Sequence, residues 1–270
     1  MNYWFTADSH YGHANIIKYC KRPWKTAYEM DEALVANWNR VVRPEDVVYH
    51  LGDFAFKSAL AVAEYRKRLN GRICFVEGNH DKATWEAYQQ DKSLFEWYRK
   101  ETSKISINNK EFFLVHTASR VWDKSHIGTV HLYGHSHGTL CEDPFSLSMD
   151  VGIDAWAQKC RYKRKAQESA SDDYRPVSLD EVLEYLKDKV WEPIQDGTEY
   201  WLRVNDSYSV RLRSLRDLPM HVLQLVSAGD SFDGPEVTKV YDGTVLKTYS
   251  LKSVLKQIEP WLNETEERVR

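Results

Sequence analysis

Residues 72–81 read RICFVEGNHD. Ile73 to Val76 form an apolar run too short for a helix and closed by Gly78, the pattern of a buried strand. Asn79, His80 and Asp81 follow at once, so an amide, an imidazole and a carboxylate sit at the carboxyl end of that strand. The same arrangement recurs along the chain. Residues 2–7 (NYWFTA) lead into Asp8-Ser9-His10, and residues 46–51 (DVVYHL) lead into Gly52-Asp53. Residues 112–116 (FFLVH) end on His116, and residues 130–135 (VHLYGH) deliver Gly134-His135-Ser136-His137. One Asp-x-His arises easily by chance; five strand ends that each carry such groups do not. Asp, Asn and neutral His together suit borderline divalent metals, and strand ends are where α/β sheets collect ligand sites.

The segments between these strands set the fold class. Met30, Ala33, Leu34, Asn37, Trp38 and Val41 fall at helical spacing and predict a helix over 29–42, with further helices over 57–69 and 83–90. Beyond residue 110 the runs 112–116, 130–135 and 146–152 are strands with little helix between them. Strand–helix units followed by consecutive strands predict an α/β sandwich with helices on its outer faces. Residues 157–173 (AQKCRYKRKAQESASDD) read as a surface loop. Ser178 and Glu181 have capping-box spacing and open a helix with Leu179, Val182, Leu183, Leu186 and Val190 on one stripe. A first domain of residues 1–190 therefore ends there. Residues 191–270 are expected to form a small α+β accessory domain, with strands over 198–204, 208–213, 221–226 and 236–250 and a helix from Leu251. Its aromatics Trp201 and Tyr208 are candidates for an interaction surface.

Composition narrows the class further. With 270 residues, 42% hydrophobic and 29% charged, the balance is globular. A net charge of −3 gives no general reason to expect nucleic-acid binding. The run Lys159, Arg161, Lys163, Arg164 and Lys165, with Tyr162 inside it, offers a local basic arm all the same. Cys20, Cys74, Cys141 and Cys160 are too widely spaced for the disulfide framework of a small secreted domain. No signal peptide and no apolar stretch of membrane-spanning length is visible, so the expectation is a cytoplasmic protein without a membrane partner.

The motif series D-x-H, G-D, G-N-H-[DE], lone H and G-H-x-H resembles that of the calcineurin-like metallophosphoesterase superfamily over residues 8–137. DSHYGHANIIKYCKRP (8–23), MDVGIDAW (149–156) and YRPVSLDEV (174–182) further resemble a small-hydrolase branch of bacteria and their phages. The resemblance implies a metallophosphoesterase-type sandwich of two mixed β-sheets flanked by helices. It implies two divalent ions, manganese first and iron, nickel, cobalt or zinc as alternatives. Asp8, His10 and His137 would hold one ion, Asn79, His116 and His135 the other, and Asp53 would bridge them. Such a pair clamps a phosphate and activates a bridging water for in-line attack. His80 would be the general acid, with Asp81 orienting its ring.

The activity so implied is metal-dependent hydrolysis of a phosphoric ester, a phosphodiester of a nucleotide or cyclic nucleotide ahead of a monoester. A nuclease acting on DNA or RNA is the alternative; a phosphoprotein phosphatase and a non-catalytic scaffold rank below. His13, Arg22 and Arg120 are candidates for contact with substrate or for a supporting layer, against the plainer reading of solvated charge for the two arginines. His50 and His131 read as core or supporting residues, and no role is assigned to His126.

Overall fold

The structure, a computed structural model, describes residues 1–140, 142, 146–161, 170–187, 189, 198–205, 208–212, 236–241 and 244–250. The chain opens with β1 (Tyr3–Thr6), α1 (Ala14–Tyr19), α2 (Ala27–Val41), β2 (Val47–His50), α3 (Ala59–Arg68), β3 (Arg72–Val76), α4 (Lys82–Gln90) and β4 (Trp97–Arg99). It continues with β5 (Thr102–Ile107), β6 (Lys110–Val115), β7 (Val130–Tyr133), β8 (Ser148–Asp150), α5 (Ile153–Arg161), β9 (Val177–Ser178) and α6 (Leu179–Leu186). Two mixed sheets result, in the orders β4-β3-β2-β1-β9 and β5-β6-β7-β8.

Strands β1 to β4 run parallel, with Tyr3 opposite Val47, Val47 opposite Arg72 and Cys74 opposite Trp97. Their central residues are buried, because a parallel sheet needs cover on both faces. Phe75 sits at the centre of that cover, its ring within 5.1 Å of those of His50, Phe95 and Tyr98. In the second sheet β6, β7 and β8 are parallel to one another. The sheets meet where Ala7, just past β1, bridges Gly152, just past β8, and the Ile153 N–H donates to the Ala7 carbonyl at 3.1 Å. The Phe5 and Phe112 rings stack between the sheets at 5.6 Å. The carboxyl ends of β1, β2, β3, β6 and β7 are those from which the motif residues emerge.

The chain divides into two compact units, the first comprising Met1–Ser125, Thr129–Glu142 and Ser148–Lys187. The second contains β10 (Thr198–Asn205), β11 (Tyr208–Leu212), β12 (Glu236–Tyr241) and β13 (Thr244–Ser250), an antiparallel sheet in the order β11-β10-β12-β13. Trp201 falls in β10 and Tyr208 opens β11. The strand expected over 221–226, the helix expected from Leu251 and Val190 lie outside the described residues. Among the described residues no helix is long and apolar enough to cross a membrane.

One expectation needs correction here. Residues 157–161 are not loop but the second half of α5, which buries Ile153, Trp156 and Ala157. Reading the segment from residue 157 hid the apolar face that begins at Ile153. Strands β4 and β5 have no clear signature in the apolar pattern. The first is only three residues long, and the second (TSKISI) buries only its last residue. The turn that closes β5 on β6 is nonetheless written in the chain: Asn108 and Asn109 both take positive φ, 50° and 62°, as a two-residue hairpin loop requires.

The capping box at α6 is formed as the spacing predicts. Ser178 Oγ accepts from the Glu181 N–H at 3.2 Å, Glu181 Oε2 accepts from the Ser178 N–H at 2.9 Å, and Arg175 pairs with the same carboxylate. Ser178→Ala is therefore expected to lower stability by about 1 kcal/mol. The check is urea unfolding, in which the midpoint falls while the slope stays the same.

Candidate metal centre

Left-handed backbone is uncommon for any residue with a side chain. Nine non-glycine residues adopt positive φ among the described residues, and five of them are Asp8, His10, Asp53, His135 and His137. The strand-end loops thus turn sharply at the motif residues and direct their side chains into one place. The loops after β1 and β2 are paired like a continuation of the sheet. Asp8 N–H donates to Gly52 O, His10 N–H to Asp53 O and Tyr11 N–H to Phe54 O, each at 3.0 Å. Gly52 has φ +94°, and a Cβ there would stand 2.6 Å from Gly78 and from His116 Nδ1, so only glycine lets the three loops close together.

The expected ligands gather in two groups with atoms within 4.8 Å, Asp8, His10 and His137 in one and Asp53, His116 and His135 in the other, while Cys20 and Asp154 form a further such group with His137. Asn79 joins the second, its Oδ1 3.0 Å from His116 Nε2. Asp53 Oδ2 stands 3.5 Å from His10 Nε2 and 3.5 Å from His116 Nε2, and so lies between the groups. The Asp8 carboxylate also reaches across, accepting the His135 N–H at 2.9 Å. His116 donates Nδ1–H to the Leu51 carbonyl at 2.7 Å, which aims Nε2 at Asn79, His135 and Asp53. His137 donates Nδ1–H to Asp154 Oδ2 at 2.7 Å, which makes Nε2 its candidate ligand atom.

The donor set fits divalent ions. His10 Nε2 is buried and has no hydrogen-bond partner, although it faces a carboxylate. A buried polar atom of that kind calls for a missing neighbour, and carboxylate, amide and imidazole donors together suit a borderline metal. Electrostatics point the same way. Burial drives His10 down to about 3, so its ring is neutral. Burial pushes the Asp8 carboxyl up to about 8. Burial opposes charge on His116 and His137, yet Asp53 raises the first to about 9, and Asp154 with Cys20 raises the second to about 11. The Asp53 carboxyl, flanked by His116 and His10, is held well below the usual range against its burial.

The other expected residues separate into those near the centre and those away from it. The His80 backbone N–H donates to Asp53 Oδ1 at 2.9 Å, and its exposed ring lies 5.9 Å from that of His10. Asp81 does not orient that ring. Its Oδ2 accepts the N–H groups of Asp53 (2.6 Å) and Gly78 (2.7 Å), and its Oδ1 those of Phe54 (3.0 Å) and the Thr84 hydroxyl (2.9 Å). With both oxygens so occupied, Asp81 is a buried clasp between two loops. Arg22 is likewise no substrate contact or solvated charge. It is 4% exposed, holds Asp154 through two bonds of 2.9 and 2.8 Å, and donates to the carbonyls of Asp8 (2.7 Å) and Ser9 (3.0 Å). His13 stacks on Phe56 at 4.3 Å, one ring away from His10 at 5.5 Å. Arg120 is exposed beyond His116 and bonds to none of these residues. His50 and His131 are fully buried, and His50 Nε2 is 3.0 Å from Ser9 Oγ. Of the basic run, Lys159 is paired with Glu142 at 2.8 Å, and residues 162–169 lie outside the described residues.

The calcineurin-like phosphoesterase superfamily domain matches this chain over residues 1–147, the span that carries all seven candidate ligands. The chain belongs to that superfamily. The protein MJ1445 of Methanocaldococcus jannaschii is a relative, 34% identical over 194 residues that make up 70% of this chain and 94% of that one. The Gene 66 protein of Mycobacterium phage D29 is 26% identical over 57% of this chain and 89% of its own. Among solved structures, AQ665 from Aquifex aeolicus is similar with a TM-score of 0.48 and 20% identity, over 68% of this chain and 98% of that one. As a calcineurin-like phosphoesterase the chain is expected to be a hydrolase acting on phosphate esters.

Sequence reasoning missed two acids of this phosphoesterase, Asp150 and Asp154. Asp150 accepts the Ser136 hydroxyl at 2.6 Å and the Gly138 N–H at 3.1 Å, which shapes the loop carrying His135 and His137. Asp154 resists the effect of its burial and is held down to about 2 by Arg22 and His137. Both belong to DVGID, residues 150–154, but an acid in the first turn of a helix reads as a dipole partner until its burial is known.

These charge states would make metal uptake at this centre depend on pH. At neutral pH Asp8, His116 and His137 hold protons that an entering ion must displace. Affinity is expected to rise with pH between about 6 and 9, with protons released on binding. Calorimetric titration of manganese in two buffers of different ionisation heat measures that release; identical heats in both would contradict it.

Proposed function

We propose that this phosphoesterase is a dinuclear-metal phosphodiesterase whose substrates are nucleotide or cyclic nucleotide diesters. The observation that carries the reading is Asp53 Oδ2, 3.5 Å from imidazole nitrogens belonging to two separate ligand groups. Asp8, His10 and His137 would hold one ion, and Asn79, His116 and His135 the other, with Asp53 shared. Manganese is the first choice, since the seven ligands supply oxygen and imidazole donors and no thiolate. When bound, two such ions neutralise phosphate charge and lower the pKa of a coordinated water.

The chain's own residues do the rest. His80 is exposed at the rim, tied through its backbone to Asp53 and with its ring close to that of His10. It is therefore the group able to give a proton to the departing oxygen. A nucleoside leaving group, an alkoxide of high pKa, needs that proton far more than a phenolate does. Asp81 and Arg22 act at one remove, holding the loops at fixed positions so that the ligands meet without rearrangement. Within the basic run, Lys159 is paired with Glu142 and so does not itself favour the nuclease alternative.

Hydrolysis of 4-nitrophenyl and alkyl phosphodiesters, each beside its monoester, tests the reading in manganese and after chelation. Turnover should vanish on chelation and in Asp53→Ala. His80→Ala is expected to lower kcat by roughly 10²–10⁴ for the alkyl diester and by much less for the nitrophenyl ester. An equal loss for both leaving groups would remove His80 from the proton-transfer role, and preferred turnover of monoesters would remove the diester assignment.

A further inference from the structure

Phe56 is 50% exposed, three residues beyond Asp53, on the loop that leaves β2. Single exposed apolar residues are ordinary on protein surfaces, but this one is not isolated. Its ring stacks face to face on His13 at 4.3 Å and 18°, and meets the His80 ring edge-on at 5.8 Å. Tyr19, 72% exposed, meets the His13 ring edge-on at 6.4 Å. His13 in turn lies 5.5 Å from the candidate ligand His10. An aromatic surface therefore begins beside the centre and extends outward past the proposed proton donor.

That surface is also rigidly placed. The Phe56 N–H donates to the Tyr11 carbonyl at 2.9 Å, and Tyr11 N–H donates to the Phe54 carbonyl at 3.0 Å. These bonds continue the pairing that fixes Asp8, His10 and Asp53, so the platform and the ligands share one backbone ladder. A flat apolar face beside a phosphate site matches one chemistry well: a planar base joined to phosphate by a sugar. Any base presents a π-face, so stacking of this kind accepts different bases and gains more from a base than from a small alkyl group.

We propose that Phe56, backed by His13 and flanked by Tyr19, stacks the nucleobase of a nucleoside phosphate ester and so sets the substrate class. The proposal rests on the phosphate-ester reading of the centre and adds the residue that distinguishes nucleoside esters from simple alkyl esters.

The test measures binding and needs no turnover. The non-hydrolysable 5′-phosphonate isostere of adenosine monophosphate and ethyl phosphonate, its base-free counterpart, are titrated calorimetrically into the manganese-loaded full chain. The nucleoside phosphonate should bind at least about tenfold more tightly. Phe56→Ala should bring the two affinities together, while Phe56→Trp should preserve or widen the gap. Equal affinities in the unaltered protein, no binding of the nucleoside phosphonate, or a gap unchanged in Phe56→Ala would each overturn the proposal. Should Phe56→Ala fold poorly, Phe56→Leu takes its place and is judged on the same ratio. Loss of all ester hydrolysis alongside a base-dependent gap would refute the esterase mechanism and leave the stacking role standing.

Discussion

The carboxylate of Asp81 accepts three backbone N–H groups, those of Asp53 and Phe54 on the loop after β2 and that of Gly78 on the loop after β3. Removing it would leave three buried donors unpaired, at a cost of roughly 1–3 kcal/mol each. On the other side of the centre, Arg22 does the complementary work with opposite chemistry. Four of its five donors satisfy the Asp154 carboxylate and the carbonyls of Asp8 and Ser9, and the fifth meets Met30 Sδ. Between these two buried anchors run the loops that carry Asp8, His10, Asp53 and Asn79. The position of every candidate ligand on the first sheet depends on them.

Such anchoring is needed because the loops are strained. Asp8, His10, Asp53, His135 and His137 lie at φ between 49° and 68°. Asp and His tolerate this better than most residues, yet each still costs on the order of 1 kcal/mol. The strain persists because strand pairing continues past the ends of β1 and β2 and because glycines at 52 and 78 allow close approach. What is gained is convergence. Side chains from five strand ends in two sheets meet with their donor atoms already oriented, His116 by Leu51 and His137 by Asp154.

Much of this was legible in the residues. The apolar runs at 2–7, 46–51, 72–77, 112–116 and 130–135 locate strands because parallel, doubly covered strands are apolar without interruption. Metal-binding side chains at their ends then assemble once the sheets are drawn. Ser178 and Glu181 likewise announced the start of α6. What stayed hidden was whatever depends on burial of a polar group. Asp81 beside His80 suggested a partner for the ring, whereas its oxygens turn inward to backbone N–H groups. Arg22 resembled a surface charge, and Asp154 resembled a helix-dipole acid, until the 2.8 Å bond between them was seen. Strand β5 was hidden for the opposite reason, since five of its six residues are not buried and carry little apolar signal.

The central claim is that two ions share Asp53. Metal analysis combined with electron paramagnetic resonance of the manganese-loaded chain tests it most directly, since close ions couple magnetically. The account predicts two manganese ions per chain with an exchange-coupled spectrum, and loss of that coupling in Asp53→Ala. One ion per chain, or two ions giving only the spectrum of isolated manganese, would contradict it.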